Sequence, residues 1–150
     1  MDRFLALGYH FISLEDVLNN NLEGDRNLAL TIDDGHRTDM AAYFGVLKPR
    51  NIPVTLFIPG YSVGHDKHLL TIAQLQRLFL EGCTIGAHGF YHNFMTASAY
   101  RKNPASVITE AARSRFAIAR MVGEILEYFA YLFGGAGTEG KAAVQKAGYA

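Results

Sequence analysis

Short apolar runs alternate with stretches of helical spacing along the whole of this chain, and that alternation restricts it to α/β folds built on a parallel sheet. Residues 9–12, 28–33, 54–58, 83–87 and 128–133 read as strands, with Pro53 and Pro59 bracketing the third. Between them, Ser13-Leu14-Glu15-Asp16 and Thr71-Ile72-Ala73-Gln74 have the form of capping boxes, predicting helices over 13–20 and 71–81. Residues 1–8 read as the end of a helix closed by Gly8, and 38–48 as a helix ended by Pro49. Residues 105–122 form a long, Ala-rich helix closed by Gly123, with Arg113, Arg115 and Arg120 outward, and 141–147 a short one. In folds of this kind ligands gather at the carboxyl ends of the strands.

Composition narrows the function classes. With 49% hydrophobic residues in 150, the chain has the apolar material for one core. Fourteen basic residues balance fourteen acidic ones without a block of like charge, which argues against a nucleic-acid groove or an anionic membrane surface. Cys83 is the single cysteine, excluding an intrachain disulfide and a multi-cysteine zinc site; its apolar flanks predict a buried thiol. No apolar run approaches the roughly 18 residues of a membrane-spanning helix, and residues 1–4 carry no signal pattern. The chain is expected to be soluble and cytoplasmic by default, with the cell envelope open to it if a leader precedes Met1. Its oligomeric state is not marked in the sequence.

Chemistry concentrates at two strand ends. The run Leu28-Ala29-Leu30-Thr31-Ile32 reads as a short buried strand that delivers Asp33-Asp34-Gly35 to a rim. Two adjacent carboxylates repel each other and lose hydration when partly buried, so a fold keeps them mainly where a cation sits or a proton moves. The alternative is a polar turn, since Asp-Gly is an ordinary turn dipeptide. His88 and His92 follow the fourth strand and stand four residues apart, a spacing that brings both imidazoles to one side of a tight turn; otherwise they are unrelated loop residues. With one carboxylate they make a two-histidine, one-carboxylate set that suits zinc, with cobalt, nickel, iron or manganese as alternatives. A cation lowers the pKa of water and polarises a carbonyl while the second carboxylate takes a proton, which points to hydrolysis of an amide or ester. Ferrous redox chemistry uses the same ligand types, but no residue marks a cosubstrate pocket.

These residues resemble the polysaccharide deacetylases of the chitooligosaccharide deacetylase type. Thr31-Ile32-Asp33-Asp34-Gly35 is similar to that family's T-F-D-D-G motif, and Gly86-Ala87-His88-Gly89-Phe90-Tyr91-His92 to its G-x-H-[ST]-x-x-H motif. Tyr128-Phe129-Ala130-Tyr131-Leu132-Phe133-Gly134 is similar to its F-A-Y-P-[YF]-G motif. The resemblance implies a distorted, incomplete (β/α) barrel with a mainly parallel sheet, formed by one domain over residues 1–150 that lacks the family's first strand and its last ones. It also implies removal of N-acetyl groups from an amino-sugar polysaccharide or oligosaccharide, whether chitin-like, peptidoglycan or exopolysaccharide. Asp33 becomes the general base, Asp34, His88 and His92 the ligands of a divalent metal, most simply Zn2+, and the Phe133 N–H an oxyanion donor. Tyr131 and Gly134 would line the sugar groove.

Three positions depart from the family pattern. Gly89 stands where it has Ser or Thr, Leu132 where it has Pro, and Ala130 where many members, though not those with the F-A-Y-P motif, carry an Arg that holds the base. The late motifs, which supply a pocket for the acetyl methyl and a general-acid histidine, fall outside these 150 residues. Two other readings therefore stay open: a non-catalytic metal- or glycan-binding relative, and a hydrolase of another non-peptide C–N bond. Among the remaining residues, His10 reads as structural, and His36, His65 and His68 as solvated loop residues. Tyr61 and Phe90 lie near strand ends where a sugar ring could stack.

Overall fold

The computed structural model describes all 150 residues, Met1–Ala150. After a short helix α1 (Asp2–Ala6), four strands alternate with helices: β1 (His10–Ile12), α2 (Leu14–Leu18), β2 (Asn27–Asp33), α3 (Thr38–Ala42), β3 (Val54–Ile58), α4 (Ile72–Leu80) and β4 (Thr84–Ala87). Three helices follow, α5 (Ala97–Lys102), α6 (Pro104–Val122) and α7 (Thr138–Lys146). All strands run parallel in the order β1-β2-β3-β4 and curl into an incomplete α/β barrel. The register sets Asp33 opposite Phe57 and Phe57 opposite Gly86, so the ends of β2, β3 and β4 share one rim.

Both predicted capping boxes form. Ser13 and Asp16 exchange hydrogen bonds at the start of α2, and Thr71 and Gln74 do the same for α4, satisfying N–H groups that the first helical turn leaves free. β3 spans Val54–Ile58 and every residue of it is buried. On the outer side, Leu56, Ile58, Ile85 and Ala87 meet Leu75 and Leu78 of α4 and Val107, Ala111 and Ile118 of α6 in one continuous core.

Four expectations need correction. β2 is not buried throughout: Leu28, Leu30 and Ile32 are half-buried, while Ala29, Thr31 and Asp33 on the other face are exposed, because no further layer closes the barrel over them. The predicted helix over 38–48 loosens after Ala42 into a π turn (Tyr43–Leu47) and a 3-10 turn (Lys48–Arg50) that contains Pro49. Proline lacks the N–H that would continue the α-helical ladder, and Asn51 closes the segment in the left-handed region at φ 52°. The strand expected over 128–133 contracts to a single rung at Phe129, where Ala87 N–H bonds the Tyr128 carbonyl and Ala130 N–H the Ala87 carbonyl, both at 2.9 Å. Beyond it, Leu132–Gly134 turns away in a short 3-10 turn. Helix α5 is additional, started by Thr96, whose hydroxyl accepts the Ala99 N–H.

Candidate active site

The turn after β2 is wound tightly. Asp34 and Gly35 both take left-handed backbone (φ 73° and 68°), and the Gly35 carbonyl accepts the Leu70 N–H at 2.9 Å. A side chain on Gly35 would press on Ile58, its Cβ only 3.0 Å from that Cδ1, so the turn needs glycine for both space and conformation. This geometry carries Asp34 over the rim toward β4.

His88 follows directly from β4. Its N–H donates to the Ile58 carbonyl at 2.9 Å, and its Nδ1 lies 2.9 Å from the Ala130 carbonyl. A carbonyl only accepts, so Nδ1 carries a proton, and in the neutral imidazole the lone pair is on Nε2. The Nε2 atom stands 3.7 Å from Asp34 Oδ1, and His92 Nε2 stands 3.2 Å from the same oxygen. One ligand atom from each of the three residues lies within 4.8 Å of the others. A cation bound at about 2.1 Å in tetrahedral geometry separates its ligand atoms by about 3.4 Å, so the donor set fits a divalent metal in spacing and chemistry. The carbonyl behind His88 is the outer partner that metal-binding imidazoles ordinarily have.

Backbone strain is concentrated here. Five residues other than glycine have positive φ: Asn20 and Asn51, a residue type that tolerates it, and Asp34, His92 and Phe133. The last three meet at the site, since the Phe133 ring centroid is 4.8 Å from that of His92. Left-handed backbone at a histidine or phenylalanine costs on the order of 1–3 kcal/mol and persists only where surrounding contacts impose it.

For His92 the contact is Glu110, a residue that the sequence reading did not single out. Glu110 is fully buried on α6 and its carboxylate accepts the N–H groups of Phe90 (2.7 Å), Tyr91 (3.0 Å) and His92 (3.1 Å) and the Asn93 side-chain amide (2.9 Å). One carboxylate thus ties down the loop that runs from Phe90 to Asn93, past His92. A signal was present: Glu110 shares the stripe of Val107, Ala111, Ser114 and Ile118, which are all buried on α6, so a charge interrupts an otherwise inward-facing row.

The glycine between the histidines follows from the same clamp. Gly89 has φ 71°, and a Cβ there would stand 2.5 Å from Glu110 Oε2 and 2.9 Å from Leu132 Cδ1. Glu110 cannot move without abandoning the loop, so residue 89 has no room for a side chain.

Asp33 ends β2 on the exposed concave face, one residue before Asp34. In the 132–134 turn, Gly134 and Gly135 N–H groups bond the Tyr131 and Leu132 carbonyls at 3.2 Å, whereas Phe133 N–H donates to no backbone carbonyl. Gly134 is exposed beside it with φ 66°. Tyr131 is half-buried, its ring centroid 5.4 Å from that of Phe129, and burial raises its phenol pKa. The structure therefore brings Asp34, His88, His92 and Phe133 together, sets Asp33 and Gly134 at the rim, and turns the Tyr131 ring onto Phe129.

The weaker candidates separate clearly. Phe90 is buried beneath Arg113, whose guanidinium carbon lies 4.3 Å from its ring centroid, so it offers no face to a sugar. Tyr61 stays exposed and stacks on His65 at 4.4 Å. His36 and His68 are exposed, and His10 is an exposed partner of Glu23 at 3.2 Å. Cys83 is buried, which pushes its thiol pKa up to about 12 and removes it as a nucleophile.

A model of the polysaccharide deacetylase family matches residues 20–150. The Bacillus subtilis protein YxkH, which carries the name of a polysaccharide deacetylase, is 27% identical over 125 residues, covering 83% of this chain and 43% of that protein. The chain thus spans less than half the length of that relative. Among solved structures, IcaB from Ammonifex degensii matches with a TM-score of 0.83 at 23% identity, over 99% of this chain and 70% of that one. The Streptococcus pyogenes deacetylase PplD, solved with acetate, matches with 0.81 at 19% identity, over 96% and 64%. These structures share the fold, and the family match, extending over both strand-end motifs and the 128–134 turn, shows that this chain belongs to the polysaccharide deacetylase family.

Proposed function

We propose that the chain is a metal-dependent carbohydrate N-deacetylase that hydrolyses the acetamide of an N-acetylated amino sugar in a polysaccharide or oligosaccharide, releasing acetate and leaving a free amine. The observation that carries this reading is the convergence of Asp34, His88 and His92, with ligand atoms within 4.8 Å, beside a second carboxylate and a turn with an unengaged N–H.

Asp34 Oδ1, His88 Nε2 and His92 Nε2 would hold a divalent cation, zinc first by the chemistry of two nitrogens and one oxygen. When bound, that cation supplies Lewis-acid polarisation of the acetamide carbonyl and makes water a better nucleophile near neutral pH. Asp33, exposed at the rim one residue from Asp34, accepts the proton of the attacking water. The Phe133 N–H donates to the oxygen that gains charge as the carbonyl carbon becomes tetrahedral. The Ala130 carbonyl keeps the His88 ring turned so that Nε2 faces Asp34.

The test pairs metal content with acetate release from an N-acetylglucosamine oligomer, for wild type, Asp34→Ala and Asp33→Asn. Stoichiometric metal lost in Asp34→Ala, with activity lost but metal kept in Asp33→Asn, is the expected pattern. Metal without acetate release from any acetylated glycan would instead assign the chain to metal or glycan binding. A folded wild type that takes up no metal would overturn the reading.

A further inference from the structure

Helices α4 and α6 turn Leu75, Leu78, Val107, Ala111 and Ile118 into the core, and residues of both helices line an open groove of about 610 Å³ between them. The Gln76 side-chain amide of α4 donates to the Met121 carbonyl of α6 at 2.8 Å, which ties the two walls together. Large apolar side chains stand uncovered along it: Phe116 is 66% exposed and Ile72 45%. Phe116 also continues the row Ile108, Ala112, Phe116, one side of α6 that nothing in the chain covers. An apolar groove between tied helices, rimmed by polar groups, is a surface that accepts another helix.

The charges on this rim have one sign. Arg113 and Arg120 line the groove, and no carboxylate pairs with either. Arg113 lies over the Phe90 ring and donates to the Tyr91 hydroxyl at 3.1 Å, which leaves other N–H groups of its fork free; Arg120 lies over the Phe116 ring at 5.6 Å. Glu110 is the only acid on α6 and is fully buried, so every exposed charge of this helix is positive although the chain as a whole is neutral. A second copy laid against α6 about a two-fold axis would set arginines against arginines, whereas carboxylates meet unpaired guanidiniums. Arg113 and Arg120 are two helical turns apart, about 10 Å along the axis. A helix lying along the groove presents acids at that same interval beside its apolar stripe.

We infer that the groove between α4 and α6 is a docking site for an acidic amphipathic helix of a partner protein. Apolar side chains of that helix pack on Phe116 and Ile72, and two of its carboxylates, two turns apart, pair with Arg113 and Arg120. None of Asp34, His88 and His92 lines the groove, so docking is a property apart from hydrolysis and stands whether or not the chain is a deacetylase.

The probe is a fluorescein-labelled synthetic helix of about 18 residues, with leucines along one stripe and glutamates two turns apart beside it, followed by anisotropy against the full chain. The expected Kd is on the order of 10 µM. Phe116→Ala and Arg120→Glu, both at exposed positions and expected to leave the melting temperature unchanged, should each weaken binding about tenfold. A matching peptide with lysine in place of glutamate should bind wild type about tenfold more weakly and recover affinity on Arg120→Glu, a reversal that a merely sticky surface does not give. No binding of the glutamate peptide to wild type, equal binding of both peptides, or a Kd that neither variant changes would overturn the docking site. A dimer in sedimentation that Phe116→Ala dissolves would give this face to a second copy, and flotation on phosphatidylglycerol vesicles lost in the same variant would give it to a membrane; either overturns the inference.

Discussion

Glu110 Oε2 accepts the His92 N–H at 3.1 Å while His92 Nε2, at the other end of the residue, stands 3.2 Å from Asp34 Oδ1. A buried carboxylate at the backbone of His92 thus helps fix where its imidazole sits beside Asp34. Glu110→Gln keeps the volume but replaces an acceptor oxygen with an amide donor that faces N–H groups. We expect it to weaken zinc binding about 10- to 100-fold, the range seen when an outer partner of a metal ligand is lost. Glu110→Ala leaves three backbone N–H groups without their acceptor, that of Phe90 fully buried, and should cost about 3 kcal/mol of stability. Calorimetric zinc titration and thermal melts measure both. Full zinc affinity in a folded Glu110→Gln protein would show that the clamp does not position His92.

Two departures from the family pattern are in contact. Gly89 leaves the space that Glu110 Oε2 and Leu132 Cδ1 approach, and Leu132 is fully buried against it. Gly89→Ser forces a side chain into left-handed backbone and into that contact, with an expected cost of about 3 kcal/mol. Leu132→Ala should destabilise by itself as a cavity, yet in combination with Gly89→Ser the total should fall short of the sum by about 1 kcal/mol, because the small residue makes room. A double-mutant cycle from denaturant melts reads this directly. Strict additivity would mean that Leu132 is not what excludes the serine.

What was legible in the sequence was short-range. Asp34, His88 and His92 sit in motifs a few residues long at the ends of strands, Pro53 and Pro59 punctuate β3, and Ser13 and Thr71 announce their helices by pairing three residues ahead. What escaped is set by distant partners. Glu110 lies 18 to 20 residues from the N–H groups it holds on Phe90 and His92, and only the folded packing of α6 on the loop brings them together. The open face of Ala29, Thr31 and Asp33 depends on whether another layer covers β2, which the strand's own residues do not encode. The turn at Phe133 hides inside an apolar run whose period resembles a strand.

Because a cation held by Asp34, His88 and His92, which converge only in the folded chain, would bind that state alone, metal should stabilise the fold as well as equip it. A cation that binds only the folded chain adds about 2.7 kcal/mol when present at 100 times its Kd. Thermal melts of chelator-treated protein should therefore rise by several degrees on adding zinc. The increase should disappear in Asp34→Ala and persist in Asp33→Asn. An equal zinc-induced shift in Asp34→Ala would place the binding elsewhere on the chain.

Asp39, on the first turn of α3, is only 5% exposed, and its Oδ2 is buried without a hydrogen bond. Burial pushes its carboxyl pKa from 3.8 up to about 6; neighbouring His36 opposes the shift and Asp34 adds to it. The folded chain therefore holds this proton more tightly than the unfolded chain does. The stability carried by the neutral form is complete below about pH 4 and is lost as pH rises through about 6. At neutral pH the ionised group costs up to about 3 kcal/mol, since one pH unit corresponds to about 1.4 kcal/mol. Asp39→Asn removes that cost, so its melting temperature should exceed wild type by several degrees at pH 7.5 and match it at pH 4, measured with chelator present. A gap of equal size at both pH values would mean that the amide stabilises through packing, and that the ionisation of Asp39 is not what weakens this end of α3.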